Sequence, residues 1–215
     1  MKRIEIIYST LYSYYGDLHW WPADTPFEVM VGAVLTQNTA WNNVEKAIQR
    51  FHGKLLPDCI LDLSEAELQD IIRPAGFYRQ KSLYLKAVSE WFLRYDGDVN
   101  VIRSQPQDTL RKELLSVKGI GNETADSILL YAFDLPSFVV DAYTMRLFGR
   151  FPVDAGKTYT ETKRFCEAAL PHDAGIYRHF HALIVQNGKD HCKKIAACCG
   201  CPLYVQCKKK LLSVR

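Results

Sequence analysis

The sequence predicts an all-α protein. Apolar residues recur at helical spacing in most segments, period-2 alternation is scarce, and Gly or Pro residues fall between the periodic runs. Val44, Ile48 and Phe51 share one face of a segment opening near Thr39. Leu61, Leu63, Leu68 and Ile71-Ile72 suggest a second helix, and Leu85, Val88, Trp91 and Phe92 a third. Leu110, Leu114 and Leu115 fit a fourth, ending near Val117, and Ile128, Leu129 and Ala132 a fifth. Helix ends are expected at Pro57, Pro74-Ala75-Gly76, Gly97, Gly119, Pro136, Pro152 and Pro171.

A length of 215 residues permits one large domain or two small ones, and 48 % hydrophobic residues can build a sizeable core. No stretch approaches the roughly 20 apolar residues of a membrane span. Glu5 interrupts the short apolar run at the start, which makes a poor signal peptide. A cytoplasmic protein with no membrane association is expected, and its free thiols agree with that compartment. The net charge of +3 is unevenly spread. From Lys189 onward, Lys189, Lys193, Lys194, Lys208, Lys209, Lys210 and Arg215 face a single acid, Asp190. The rest of the chain holds 20 basic and 23 acidic residues. A basic tail on a nearly neutral body suggests a polyanionic partner, against the plainer reading of a solvated tail.

Five of the seven cysteines lie in that tail, four of them as Cys192-x5-Cys198-x2-Cys201-x5-Cys207. A chain with this much apolar sequence does not need a disulfide framework. Four thiolates make either a tetrahedral zinc site or an iron–sulfur site. Zinc modules usually pair two Cys-x2-Cys knuckles, and here there is one, flanked by longer gaps. The spacing favours iron and sulfur, with zinc as the rival. Cys199, beside Cys198, is a fifth thiol.

A second signal is Leu115-Ser116-Val117-Lys118-Gly119-Ile120-Gly121-Asn122-Glu123-Thr124-Ala125. Two glycines between helical patterns allow φ > 0 and close backbone approach. Ile120 can tuck between the helices. The free amides opening the next helix suit an anion such as a DNA phosphate. Gly119-x-Gly121 alone could be a tight helix–helix turn, but the whole string is more specific. Asp141, after Phe138-Val139-Val140 and before Ala142-Tyr143-Thr144-Met145-Arg146, reads most simply as an N-cap.

Together these segments resemble the helix–hairpin–helix, loop and aspartate of the endonuclease III superfamily of DNA glycosylases, and matches run along nearly the whole chain. Val34-Leu35-Thr36-Gln37-Asn38-Thr39 resembles the helix start carrying that family's strand-separating glutamine. Arg73-Pro74-Ala75-Gly76-Phe77-Tyr78-Arg79-Gln80-Lys81 resembles its wedge loop. The run from His181 to Cys192 resembles the helix leading into its [4Fe–4S] loop. The resemblance implies two helical domains with double-stranded DNA across the cleft. One would be a six-helix barrel, roughly residues 19–135, and the other would join 1–18 to 136–215. It implies a monomer with a [4Fe–4S] cluster on Cys192, Cys198, Cys201 and Cys207. Asp141 would be the catalytic carboxylate. Gln37 and Phe77 would fill the gap left by a flipped base, and Lys118, Gly119, Gly121, Lys193, Lys194 and Lys208 to Lys210 would meet the DNA. The family typically has six residues between the first two cysteines. Taking Cys198 rather than Cys199 gives five here and preserves both later gaps.

Glu123 departs from the bifunctional members, which carry a lysine in this position and form a Schiff base. A carboxylate cannot form that imine. The resemblance therefore implies a monofunctional glycosylase that activates water, with Glu123 at the catalytic position. His19-Trp20-Trp21-Pro22, then Pro26-Phe27-Glu28, depart from the pattern too. With Glu123 and Arg73-Pro74-x-Gly76-Phe77-Tyr78 they resemble the 3-methyladenine DNA glycosylases, of which this chain would be a cluster-bearing relative. Trp20, Trp21, Phe27 and Tyr78 would line the base pocket, since aromatic faces suit a cationic alkylated purine. The tryptophans could equally be core anchors. A glycosylase for mismatched or deaminated bases and a non-catalytic iron–sulfur DNA-binding protein are the competing readings.

Overall fold

A computed structural model describes residues 2–18 and 20–207. Its α-helices are α1 (Lys2–Tyr15), α2 (Pro26–Leu35), α3 (Trp41–Gln49), α4 (Pro57–Asp62), α5 (Glu65–Ile71), α6 (Tyr78–Leu93), α7 (Val99–Arg103), α8 (Gln107–Ser116), α9 (Asn122–Ser127), α10 (Ala142–Arg150), α11 (Tyr159–Ala169) and α12 (Ala174–Asp190). A 3-10 turn, Arg73–Ala75, precedes α6, and a π turn, Ile128–Ala132, extends α9. No strand occurs among the described residues. The chain divides into two compact units, Met1–Trp20 with Pro136–Arg215, and Trp21–Leu135.

In the Trp21–Leu135 unit, α2 is the central element, with eight of its ten residues buried. It packs on α6 and on the π turn. Thr25 caps it by accepting the Glu28 N–H, and Pro26 supplies a preset φ at the first helical position. Pro57 likewise opens α4 instead of ending a helix. The stretch from Leu61 to Ile72 is two helices, not the single one its apolar spacing suggests. At Ser64 the hydroxyl accepts the Glu67 N–H while the Glu67 side chain accepts the Ser64 N–H. This capping box starts α5 afresh. Trp91 is fully buried beneath α8, and its indole N–H and the Tyr95 hydroxyl both donate to Glu113.

In the other unit, α1 and α10 both pack on α12. Ile4, Ile7, Leu11, Phe138, Tyr177 and Phe180 form much of the core, with Phe138 edge-on to Tyr177. Gly188 allows α10 and α12 to approach closely, because a Cβ there would lie 2.3 Å from the Tyr143 ring. The extended segment leading to Asp141 is held from α11. Glu167 accepts the Phe138 N–H at 3.0 Å, and Lys163 bridges Glu167 and the Ser137 hydroxyl at 2.6 and 2.7 Å. No described helix is long and apolar enough to cross a membrane.

Candidate active site and DNA-binding elements

The hairpin joins α8 to α9 through Val117–Gly121. Gly119 sits at φ +85°, and a Cβ there would come within 2.2 Å of the Tyr84 ring. Glycine is required both by the backbone and by the ring lying against it. Ile120 is buried, as its place between the helices demands, while Lys118 is exposed. Arg111 on α8 makes a two-pronged ion pair with the buried Asp126 at 2.8 and 3.0 Å and also reaches Asn122. This fork fixes α9 to α8. Glu123 stands exposed in the first turn of α9.

Gln37 belongs to the same structure. Its amide donates to the Gly119 carbonyl at 3.0 Å and to the Thr124 hydroxyl at 2.9 Å. Both N–H groups are therefore engaged by the hairpin. Phe77 is the most exposed phenylalanine in its loop region, 62 % accessible, on a left-handed backbone at φ +46°. An exposed apolar tip held in a strained conformation is the kind of feature that function retains.

Asp141 caps α10, one oxygen accepting the Thr144 N–H at 2.7 Å. Its second oxygen lies 3.6 Å from Nε2 of His181 on α12. Burial works to raise this carboxyl, but His181 and Thr144 outweigh it and hold it below the ordinary carboxylate range. Asp141 is thus a cap and also an almost buried anion.

The four aromatic residues expected at the base pocket have different surroundings. Phe27 is a core residue, 4 % accessible and stacked on Phe92 at 5.4 Å. Tyr78 is half-buried under the Arg73 guanidinium. Trp20 lies in the unit containing α12, where the Lys189 ammonium sits 4.7 Å from its ring centroid. Trp21 lies in the other unit, edge-on to Trp41 and tilted against Tyr131 at 4.7 Å. The Trp21 indole lies against Gly32 on α2, at ordinary contact distance from where a Cβ would stand, and its backbone adopts φ +75°. Trp41 and Tyr131 had no signal in the sequence beyond being aromatic.

In the basic tail, Cys192, Cys198, Cys201 and Cys207 line one recess together with Leu147, Arg150 and Asn187. Cys199 is exposed. Among the described residues no three His, Cys, Asp or Glu side chains close in on a single ion position. Burial, and then the neighbouring thiols Cys192, Cys198 and Cys207, push the Cys201 thiol up. Four thiolates in this space would need a positively charged group among them. The loop is gripped from α10. Arg146 donates to the Cys192 carbonyl at 2.6 Å, and Arg150 to the Lys193 and Lys194 carbonyls at 2.7 and 2.9 Å and to the Cys192 sulfur at 3.3 Å. Lys193 and Lys194 are exposed. Lys208, Lys209 and Lys210 lie outside the described residues, as does His19.

Residues 31–172 match the model of the HhH-GPD superfamily of base excision DNA repair proteins. A protein of Methanocaldococcus jannaschii provisionally named a DNA repair glycosylase is 49 % identical over 97 % of each chain. A thymine/uracil-DNA glycosylase of Pyrobaculum aerophilum is 28 % identical over 87 % of this chain and 81 % of its own. Among solved structures, Helicobacter pylori 3-methyladenine DNA glycosylase bound to 1,N6-ethenoadenine superposes with a TM-score of 0.73 at 28 % identity, covering 86 % of this chain and 96 % of its own. A trapped endonuclease III–DNA covalent intermediate reaches 0.82 at 24 % identity, over 96 % and 95 %. The chain belongs to the HhH-GPD, endonuclease III-like superfamily. It is a DNA glycosylase of base excision repair, and it acts on DNA.

Proposed function

We propose that this protein is a monofunctional glycosylase that hydrolyses alkylated purines, 3-methyladenine among them, from double-stranded DNA as a monomer. The observation that carries the reading is Glu123 at the hairpin position where Schiff-base chemistry would need an amine. With no amine there, water must be the nucleophile. As the glycosidic bond breaks, positive charge builds on the sugar, and an ionised Asp141 stabilises it and orients the water. Trp21, with Trp41 and Tyr131 beside it, offers electron-rich faces of the kind that attract a cationic base. Alkylation also places positive charge on the leaving base, so less catalytic assistance is needed. The 28 % identity to a 3-methyladenine glycosylase agrees with this substrate class. Similar identity to a thymine/uracil glycosylase favours a second reading, removal of thymine or uracil opposite guanine.

The cysteine recess is assigned to a [4Fe–4S] cluster held by Cys192, Cys198, Cys201 and Cys207. The donor set is four thiols lining one recess, in a spacing that favours iron and sulfur over zinc. A cluster supplies the cationic iron that such thiolates require, and its work here is structural. It shapes the loop that presents Lys193 and Lys194 to phosphate.

The test is a panel of duplexes, each carrying one lesion, scored for base release with and without alkaline cleavage. The reading expects 3-methyladenine or 7-methylguanine to be released, strand breaks only after alkali, and no borohydride-trapped adduct. Excision of thymine or uracil from G mispairs, with methylated purines ignored, would install the second reading. Robust trapping would overturn the monofunctional assignment and point first to Lys118 and Lys189.

A further inference from the structure

Lys81 is an interior lysine that the chemistry above does not use. It lies on α6, four residues after Phe77, and is 2 % accessible. Its ammonium donates to the Leu35 carbonyl at 2.7 Å, the Thr39 hydroxyl at 2.8 Å and the Ala75 carbonyl at 2.9 Å. Thr39 in turn donates to Ala75 O. The three acceptors come from the end of α2, the loop between α2 and α3, and the 3-10 turn before α6. Among the described residues no carboxylate shares the charge, and burial pushes the ammonium down to about 8. Burying an unpaired cation is an expensive way to join helices, because an apolar side chain of the same length would fill the space at lower cost. What an ammonium uniquely supplies is three donors from one atom.

The segments it joins are the two that carry the gap-filling candidates. Gln37 lies between Leu35 and Thr39, and Phe77 lies two residues after Ala75. The Lys81 ammonium also sits 6.0 Å from the Phe77 ring centroid. We propose that Lys81 is a positioning residue that holds the Gln37 turn and the Phe77 turn at one fixed spacing, so that Phe77 and, once its amide is released from Gly119 and Thr124, Gln37 enter the DNA stack together. This rests on the reading that Gln37 and Phe77 occupy the gap opened by a flipped base. Lys81 does not touch DNA in this scheme. It acts through the two turns, and its removal should separate stack entry from DNA affinity.

The experiment uses the intact protein and a duplex with an abasic-site analogue opposite 2-aminopurine, whose fluorescence rises when it is unstacked. Wild type should produce a rise on binding. Lys81→Met should still saturate the duplex but lose most of that rise, while Thr39→Val, which keeps the charge and removes one acceptor, should lose a smaller part. Gln37→Ala/Phe77→Ala should abolish the rise, and adding Lys81→Met to it should change nothing more. An undiminished rise at saturation in Lys81→Met overturns the proposal. So does a loss of affinity with the rise at saturation intact, which is the signature of a mere fold pin. If Lys81→Met does not fold, an unaltered rise in Thr39→Val overturns it. A wild-type rise that survives in Gln37→Ala/Phe77→Ala removes the gap reading itself, and Lys81's role falls with it.

Discussion

The hairpin between α8 and α9 and the cysteine loop after α12 both present basic residues, but they are held in different ways. The hairpin is fixed by the protein's own contacts. Tyr84 lies against Gly119, Gln37 bonds to the turn from one side, and Arg111 clamps Asp126 from the other. The cysteine loop is braced most firmly near Cys192, where Arg146 and Arg150 hold the backbone, and farther along by long sulfur contacts, Cys201 Sγ to Asn187 Oδ1 at 3.7 Å and Cys207 Sγ to the Arg150 carbonyl at 3.8 Å. Beyond that point its own backbone bonds are local turns, such as Cys201 N–H to Cys198 O and Cys207 N–H to Leu203 O. Its four thiols have no charge partner among themselves. The hairpin is therefore preorganised in the polypeptide, whereas under the proposed cluster assignment the loop depends on the group its thiols would bind.

The contrast can be broken hardest at Gly119. Gly119→Ala adds left-handed strain and forces a methyl into the Tyr84 ring, together about 2–4 kcal/mol. Thermal melting should show that loss, with DNA binding weakened and iron content unaffected. At the other pole, Cys198→Ala should lose iron and acid-labile sulfide while Cys199→Ala retains both, as read by metal and sulfide analysis. Zinc in place of iron in anaerobically purified protein would contradict the cluster. A milder effect is expected from Arg150→Met. Losing charge-assisted bonds to two carbonyls and one sulfur should lower stability by about 1–3 kcal/mol and speed iron loss to a chelator, leaving the hairpin intact.

A pH-dependent effect concerns Lys81. Its ordinary pKa of 10.5 falls to about 8 in the folded protein. Between those values the folded state binds fewer protons than the unfolded one, so this group's contribution to stability rises with pH. Measured against Lys81→Met, wild-type stability should improve from about pH 8 to about pH 10.5 and be flat below pH 7. A difference that instead falls across that window would contradict the buried, unpaired ammonium.

Much of the fold was legible because its punctuation is chemical. The all-helical class followed from apolar spacing, and the hairpin from Gly119 and Gly121. The split between α4 and α5 was missed although Ser64-Glu65-Ala66-Glu67 spells a capping box, because the apolar spacing runs straight through it. Phe27 was placed at the base pocket by the resemblance, and the structure buries it against Phe92 on a helix that is buried nearly all round. Lys81 was invisible as an interior residue, since a lysine among Arg79 and Gln80 reads as a solvated helix face. Cys192, Cys198, Cys201 and Cys207 line one recess, and Cys199 is exposed where Cys198 is half-buried. Trp41 and Tyr131 could not be joined to Trp21 from sequence, because only the tertiary fold brings the three together.

The account stands most directly on Asp141 as a catalytic anion that is also a helix cap. Asn is nearly isosteric and can still accept the Thr144 N–H, so Asp141→Asn separates the two roles. Single-turnover release of 7-methylguanine from duplex DNA should be measured for wild type and Asp141→Asn, alongside melting temperature and DNA affinity. The account predicts a folded variant that binds DNA with base release lowered at least about a hundredfold. Near-normal release by a stable Asp141→Asn protein would leave Asp141 a cap alone and contradict it.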